Sequence, residues 1–342
     1  MALLHIDGFD LYTAAADLYT LEYSGNFMSF STSAGRFSGG AAQTTAVGSI
    51  VKTGVFPLEL WSGFAFQSSD TRNSDCPLIL FVSSGGADSG VEGAFTINCS
   101  TNQLKAWRGF ISTLLGAAAV TICDGGWHWL DFHFKYDATG GVMEVWIDGV
   151  QVINLTGQNT QRNSGQSNLA SVNLGSYSVN TATANIDDWV ISDTTGSANN
   201  GRVTDSRVET LTPVSDATPN DGTLSSGSNH YAMVNEAHWD TTSTTTMTNT
   251  SGQEELFGIG SLSSTPVSIS GVQITYVAEN TDAGAASLET TISSSASTAS
   301  GSSTALTSSW QRNADIYEQD PHTSAAWVGS AVNALKVGFK VP

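Results

Sequence analysis

Charge is scarce in this chain. Asp, Glu, Lys and Arg make up only 13% of its 342 residues, against roughly 25% in an ordinary soluble domain. Basic residues are scarcest: 12 Lys and Arg stand against 31 Asp and Glu, a formal net charge of −19. No cluster of Lys and Arg forms a basic stripe, and without one a nucleic-acid backbone has nothing to bind. Cysteine is nearly absent. Cys76, Cys99 and Cys123 are widely spaced, with no CxxC pair, which makes a thiol zinc site a weak reading and leaves room for one disulfide at most. Three ordinary buried thiols are expected. No run of 18 apolar residues occurs, so no membrane-spanning helix is expected. The opening MALLHIDGFDLY has neither a basic stretch nor an apolar run of signal-peptide length, so synthesis in a cytoplasm without signal-dependent export is expected. Also missing are a phosphate loop, a GxSxG elbow and an internal repeat of fixed period.

What fills the space is Gly, Ser, Thr and Asn, residues that disfavour helices and suit short strands joined by tight turns. Strand-like runs recur at Leu58–Gln67, Leu78–Ser83, Ala94–Asn98, Gln103–Gly109, Trp129–Tyr136, Val142–Ile147 and Ile186–Ser192, most of them separated by turn residues. An all-β chain follows. The composition shifts at Asp193–Asn200 (DTTGSANN), which places a domain boundary there: 1–197, then 198–342. Arg207–Leu211 reads as a short β-run at that junction. Beyond it come β-like runs at Glu255–Ile259, Val267–Glu279, Ala286–Ile292 and Ser330–Phe339. Two Ser/Thr tracts, Thr241–Ser251 and Ser293–Ser309, sit between strand signals and read as extended hairpin arms. Low-complexity polar tracts also remain disordered when they bury too little surface, so that alternative stays open.

The densest stretch is GGWHWLDFHFKYDATGGVMEVWIDGV, residues 125–150. Leu130, Phe132, Phe134 and Tyr136 alternate with Trp129, Asp131, His133 and Lys135, the period-2 pattern of a strand with one apolar face. Asp137–Gly141 supplies a turn, and the return strand sets Met143, Val145 and Ile147 against Val142, Glu144 and Trp146. The two strands pair as a hairpin, with Glu144 or Trp146 opposite the His133/Asp131 face. A polar row on the outer face of an antiparallel strand needs no further explanation. His128 likewise reads as a hydrogen-bonded strand residue. Trp129 and Trp146, however, point away from the apolar face. An outward tryptophan is covered by a loop, buried by a neighbouring subunit or exposed for binding, and subunit packing ranks above glycan binding here.

This stretch resembles the laminin-G or pentraxin-like branch of the concanavalin A-like jelly rolls. Leu174–Asp193 (LGSYSVNTATANIDDWVISD) resembles that family's terminal strand. The opening HIDGFD, with Gly35–Ala41 (GRFSGGA), resembles tailed-bacteriophage virion proteins that carry such a domain at their N-terminus. So does the C-terminal segment holding Asp320, Pro321, Thr323 and Trp327. The resemblance implies an N-terminal jelly-roll sandwich, followed by a smaller C-terminal β-sandwich with Ser/Thr-rich hairpins. It also implies a structural virion component on head or tail, acting by homo-oligomerisation and by assembly with other phage proteins. Laminin-G modules often hold calcium, for which Asp124, Asp187 and Asp188 are the weak candidates; no other cofactor is expected. Glucanases of the superfamily carry E-x-D-x-x-E on a catalytic strand. Here Val142–Asp148 (VMEVWID) offers only Glu144 and Asp148, which argues against hydrolysis and for a non-enzyme. The alternative is an adhesin that binds host surface glycan through Trp129, Trp146, His133, Asp131 and Glu144. A depolymerase using Asp131 and Glu144 ranks last.

Overall fold

The computed structural model describes residues 2–176, 183–236, 238–239 and 241–342. The chain is all-β and divides into two compact units, Met1–Val208 and Glu209–Pro342.

The first unit carries strands β1 (Leu3–Asp7), β2 (Ser24–Ser31), β3 (Ala41–Phe56), β4 (Glu59–Ser68), β5 (Cys76–Val82), β6 (Val91–Asn98) and β7 (Gln103–Arg108). Strands β8 (Thr113–Ala119), β9 (Trp127–Lys135), β10 (Gly141–Ile147), β11 (Val150–Gln158), β12 (Leu169–Ser176) and β13 (Ala184–Asp193) follow, with one short helix, α1 (Ala15–Leu21). All are joined in one antiparallel sheet of order β11-β10-β9-β4-β13-β3-β12-β5-β6-β7-β8, with β1 on β13 and β2 on β3. The sheet folds over on itself. Phe81 of β5 stacks on Phe134 of β9, with centroids 4.6 Å apart, and Phe95 of β6 meets Phe132 of β9 at 5.1 Å. Two layers therefore face each other across an aromatic core, as a sandwich requires. Each ring taken out of water there contributes roughly 1.5–3 kcal/mol. Close approach demands Gly93 on β6, where a Cβ would lie 2.3 Å from the Phe134 ring.

The hairpin expected from residues 125–150 is present. β9 and β10 pair antiparallel, with His133 opposite Glu144 and Asp131 opposite Trp146. Leu130, Phe132, Phe134, Met143 and Val145 are buried in the core. The sequence cannot show the other neighbour of β9, which is β4, with Trp61 opposite His133 and Gly63 opposite Asp131.

The second unit contains β14 (Pro213–Asn220), β15 (Thr223–Leu224), β16 (Thr245–Thr246), β17 (Glu254–Ile259), β18 (Val272–Ala278) and β19 (Ser287–Ser294). They are followed by β20 (Ser297–Ser300), β21 (Thr304–Ala305), β22 (Gln311–Tyr317), the helical turn α2 (Gly329–Val332) and β23 (Lys336–Lys340). A sheet of order β14-β17-β23-β19-β20 carries β21 at its margin, while β18 pairs with β22 as a separate ribbon. The ribbon and sheet share a small core of Ile274, Ile292, Trp327, Val332 and Leu335. Trp327 Nε1 donates to the Tyr317 carbonyl at 2.7 Å, which satisfies the indole inside that core.

Five local expectations change. The division falls at Val208/Glu209 rather than at residue 197. Residues past 197 stay with the first unit because Val208 N–H donates to Asp188 and the Val203 carbonyl accepts from Trp129. Arg207–Leu211 is not a strand, and Ser330–Phe339 opens with α2 before β23. Of the Ser/Thr tracts, Ser293–Ser309 forms the β19–β20 hairpin and β21. Thr241–Ser251 forms only the two-residue β16, not an extended arm. Within the terminal-strand resemblance, residues 177–182 lie outside the described residues. Finally, Cys99 and Cys123 are joined in a disulfide, Cα atoms 5.7 Å apart, and only Cys76 is a buried thiol.

Candidate functional site

Strands β4, β9 and β10 lie side by side, and each turns alternate side chains away from the core. The outward set comprises Glu59 and Trp61 from β4, Asp131, His133 and Lys135 from β9, and Glu144 and Trp146 from β10. His133 is the centre of this face. Its ring lies flat on Trp61, with centroids 4.1 Å apart and planes 5° from parallel. One ring nitrogen, Nδ1, is 2.8 Å from Glu144 Oε2, and the other, Nε2, is 3.1 Å from Glu59 Oε1. One imidazole thus bridges two carboxyl groups on opposite sides of β9. Trp146 is tilted 39° against Trp61, centroids 5.3 Å apart. Both indoles are half-buried, so each keeps part of its surface toward solvent. Gln151 Nε2 donates to Glu144 Oε1 at 3.3 Å, and Lys135 Nζ sits 3.4 Å from Glu59 Oε2.

Trp129 does not belong to the exposed part of this face, and the ranking that put subunit packing first for it is corrected. It is 0% exposed. The indole lies across Gly63, where any Cβ would come within 2.7 Å of Trp129 Cζ2. Its Nε1–H donates to Asp131 Oδ1 at 2.9 Å and to the Val203 carbonyl at 3.2 Å. A loop of the same unit therefore covers it, the first of the three fates open to an outward tryptophan.

Asp131 is buried with it, at 1% exposed. Its Oδ2 has no hydrogen-bond partner, and the nearest cation, Arg202 Nε, is 3.9 Å away. Burial pushes this carboxyl up to about 7, against the opposing pull of the Trp129 N–H and of Arg202. The Arg202 guanidinium in turn lies over Trp146, 5.3 Å from its ring centre. Arg202 closes the edge of the aromatic face.

The weak calcium candidates Asp124, Asp187 and Asp188 each have protein partners. Among the described residues no group of three or more His, Cys, Asp or Glu is placed to hold a metal. Asp124 is exposed, accepting from Gly126 N–H at 2.8 Å, with His128 Nε2 at 3.1 Å; those bonds hold its carboxyl below the usual range. Burial works against a charged His128 ring, but its bonds to Asp148 and Asp124 outweigh it and raise the ring's pKa. Asp187 and Asp188 are buried in β13. Asp187 Oδ2 accepts from Arg36 N–H, and Asp188 Oδ1 accepts from Val208 N–H, both at 2.7 Å. Burial raises both carboxyls, and the Asp188 charge raises Asp187 further. Arg36 also grips Asp205 through two bonds, 2.6 and 2.9 Å, so these acids anchor the segment that leaves β13.

Three residues of the face escaped the pattern of residues 125–150: Trp61, Glu59 and Arg202. Alternation along Leu58–Gln67 already turns Glu59 and Trp61 away from Leu60, Phe64 and Phe66. Their partnership with His133 depends on β4 pairing with β9 across 74 residues. Nothing in the local sequence around Arg202 announces its place.

No protein-family model and no curated protein matches the chain. Solved structures do resemble it in part. The alginate lyase Aly36B is 11% identical, with a TM-score of 0.40 over 55% of this chain and 96% of the lyase. Trypanosoma rangeli sialidase is 11% identical, with a TM-score of 0.36 over 50% of this chain and 29% of the sialidase. A botulinum neurotoxin type C structure, described by its interaction with two ganglioside molecules, is 10% identical, with a TM-score of 0.39 over 56% of this chain and 47% of the toxin. The expectation of a non-enzyme is corrected on its own premise. It rested on a missing E-x-D-x-x-E strand, and that absence removes one catalytic arrangement, not every chemistry a β-sandwich can carry.

Proposed function

We propose that the first unit binds glycan across the β4–β9–β10 face. The observation that carries this reading is the pair of half-buried indoles, Trp61 and Trp146, set beside Glu59 and Glu144 around one imidazole. Pyranose C–H faces stack on indole surface, and sugar hydroxyls donate to carboxyl and amide oxygens. Both kinds of group converge here, on strands of a rigid sheet, with the exposed Gln151 and Asn154 at the margin. The Cys99–Cys123 disulfide supports work in an oxidising setting outside a cell, where glycans are met. In the virion setting that the sequence resemblance implies, the same face meets sugars of a host surface. The virion role rests on that resemblance alone. No helix among the described residues is long and apolar enough to cross a membrane.

Native electrophoresis in gels cast with polysaccharide tests the reading. The chain is expected to be retarded, and Trp61→Ala or Trp146→Ala to run free while still melting cooperatively. Equal retardation of wild type and both variants contradicts it.

Cleavage of the bound glycan is a second reading, favoured by the relation of Asp131 to Glu144. They occupy diagonal positions on paired strands, where such neighbours stand roughly 7–8 Å apart along the sheet. Inverting hydrolases hold two carboxyls about 6.5–9.5 Å apart, on either side of the scissile bond. A carboxyl that keeps its proton to about pH 7 has the form a general acid needs. Release of reducing ends by wild type, lost in Asp131→Asn, is the expected outcome; release unchanged in that variant contradicts it.

A further inference from the structure

Resting on the glycan-binding reading, we infer that the β4–β9–β10 face selects saccharides without acidic groups, neutral or amine-bearing, and rejects uronate and sialylated chains. The basic groups nearest Trp61, Lys135 and His133, are already committed. Lys135 Nζ stands 3.4 Å from Glu59 Oε2. Arg202 lies over Trp146 with its Nε 3.9 Å from Asp131 Oδ2. Both ring nitrogens of His133 face Glu144 and Glu59. A sugar carboxylate laid on Trp61 would therefore meet two carboxyl groups and no uncommitted partner, and like charges brought that close repel. The formal charge of −19 works in the same direction at long range, lowering the local concentration of polyanions.

The opposite charge is tolerated. The Arg202 guanidinium shows that a cation sits over Trp146 beside the carboxyl of Asp131. The Oδ2 of that carboxyl is buried without a hydrogen-bond partner, an acceptor left open on the inner side of the face. A hydroxyl that displaces the Arg202 head can pair with that oxygen in either form, donating to the ionised carboxyl and accepting from the protonated one, and an ammonium donates to the ionised form.

The test uses the full chain and immobilised polysaccharides of three classes: neutral dextran and mannan, amine-bearing chitosan, and acidic alginate and polysialic acid. At least one neutral or amine-bearing polymer is expected to bind tenfold or more tightly than either acidic one. That margin is expected to widen at low salt, where screening weakens. Glu59→Gln with Glu144→Gln, which keeps an acceptor oxygen at each position, is expected to narrow it at least threefold. Acidic polymers binding as tightly as the rest, or a margin unmoved by the double variant, overturns the inference while glycan binding itself stands. No binding to any of the five overturns the glycan reading and the inference with it.

Discussion

The imidazole of His133 lies parallel to the indole of Trp61, centroids 4.1 Å apart, while its two nitrogens face Glu144 and Glu59. Ring and carboxyls fix one another, so His133 sets the spacing of the face without needing to touch a sugar. His133→Ala removes the stack and leaves both carboxyls unbridged. Glycan affinity is expected to fall about 10–100-fold, a loss of roughly 1.4–2.7 kcal/mol, by isothermal titration. His133→Gln, which keeps a donor, is expected to recover part of it.

Gly63 makes room for Trp129. Alanine there places a methyl 2.7 Å from the indole and 2.9 Å from Asp131 Oδ1. Gly63→Ala is expected to cost about 1–3 kcal/mol, the range for overpacking a filled interior. Urea denaturation measures it.

The hairpin of residues 125–150 was legible because it is local: period-2 alternation names its two faces, and the turn names its partner strand. The fate of Trp129 was not legible. Alternation correctly turned it from the core, but what covers it is the Val203 carbonyl, 74 residues away, and what admits it is a glycine on β4. The same limit hid the pairing of Cys99 with Cys123, which depends on where the loop before β9 returns to the end of β6. The domain boundary was displaced for a related reason. DTTGSANN marks a change of composition, whereas Asp188, Arg36 and Trp129 hold the following residues to the first unit.

Asp131 gives stability a pH dependence of definite sign. Its folded-state carboxyl keeps its proton up to about pH 7, whereas in the unfolded chain it ionises near 4. Its contribution to stability is therefore greatest below about pH 4, falls as pH rises toward 7, and levels off above. Asp131→Asn removes that contribution and keeps an acceptor for Trp129. Relative to wild type, the variant is expected to gain progressively between pH 4 and 7, by about 2–4 kcal/mol in total. Melting temperatures across that window check it, and a constant difference contradicts it.

The Cys99–Cys123 disulfide spans 24 residues. Cys99→Ser with Cys123→Ser is expected to cost about 2–4 kcal/mol, the typical worth of a native bridge. The double variant's denaturation midpoint measures the loss, and the same shift is expected for wild type on reduction.

The central claim is that saccharide lies on Trp61 and Trp146. The most direct measurement is the indole N–H region of a nitrogen-15 NMR spectrum, followed while a soluble glycan that binds is titrated in. The signals of Trp61 and Trp146, assigned through their phenylalanine variants, are expected to move with a common saturation curve. Those of the buried Trp189 and Trp327 are expected to stay in place. Shifts confined to other tryptophans, with Trp61 and Trp146 unmoved at saturation, would contradict the account.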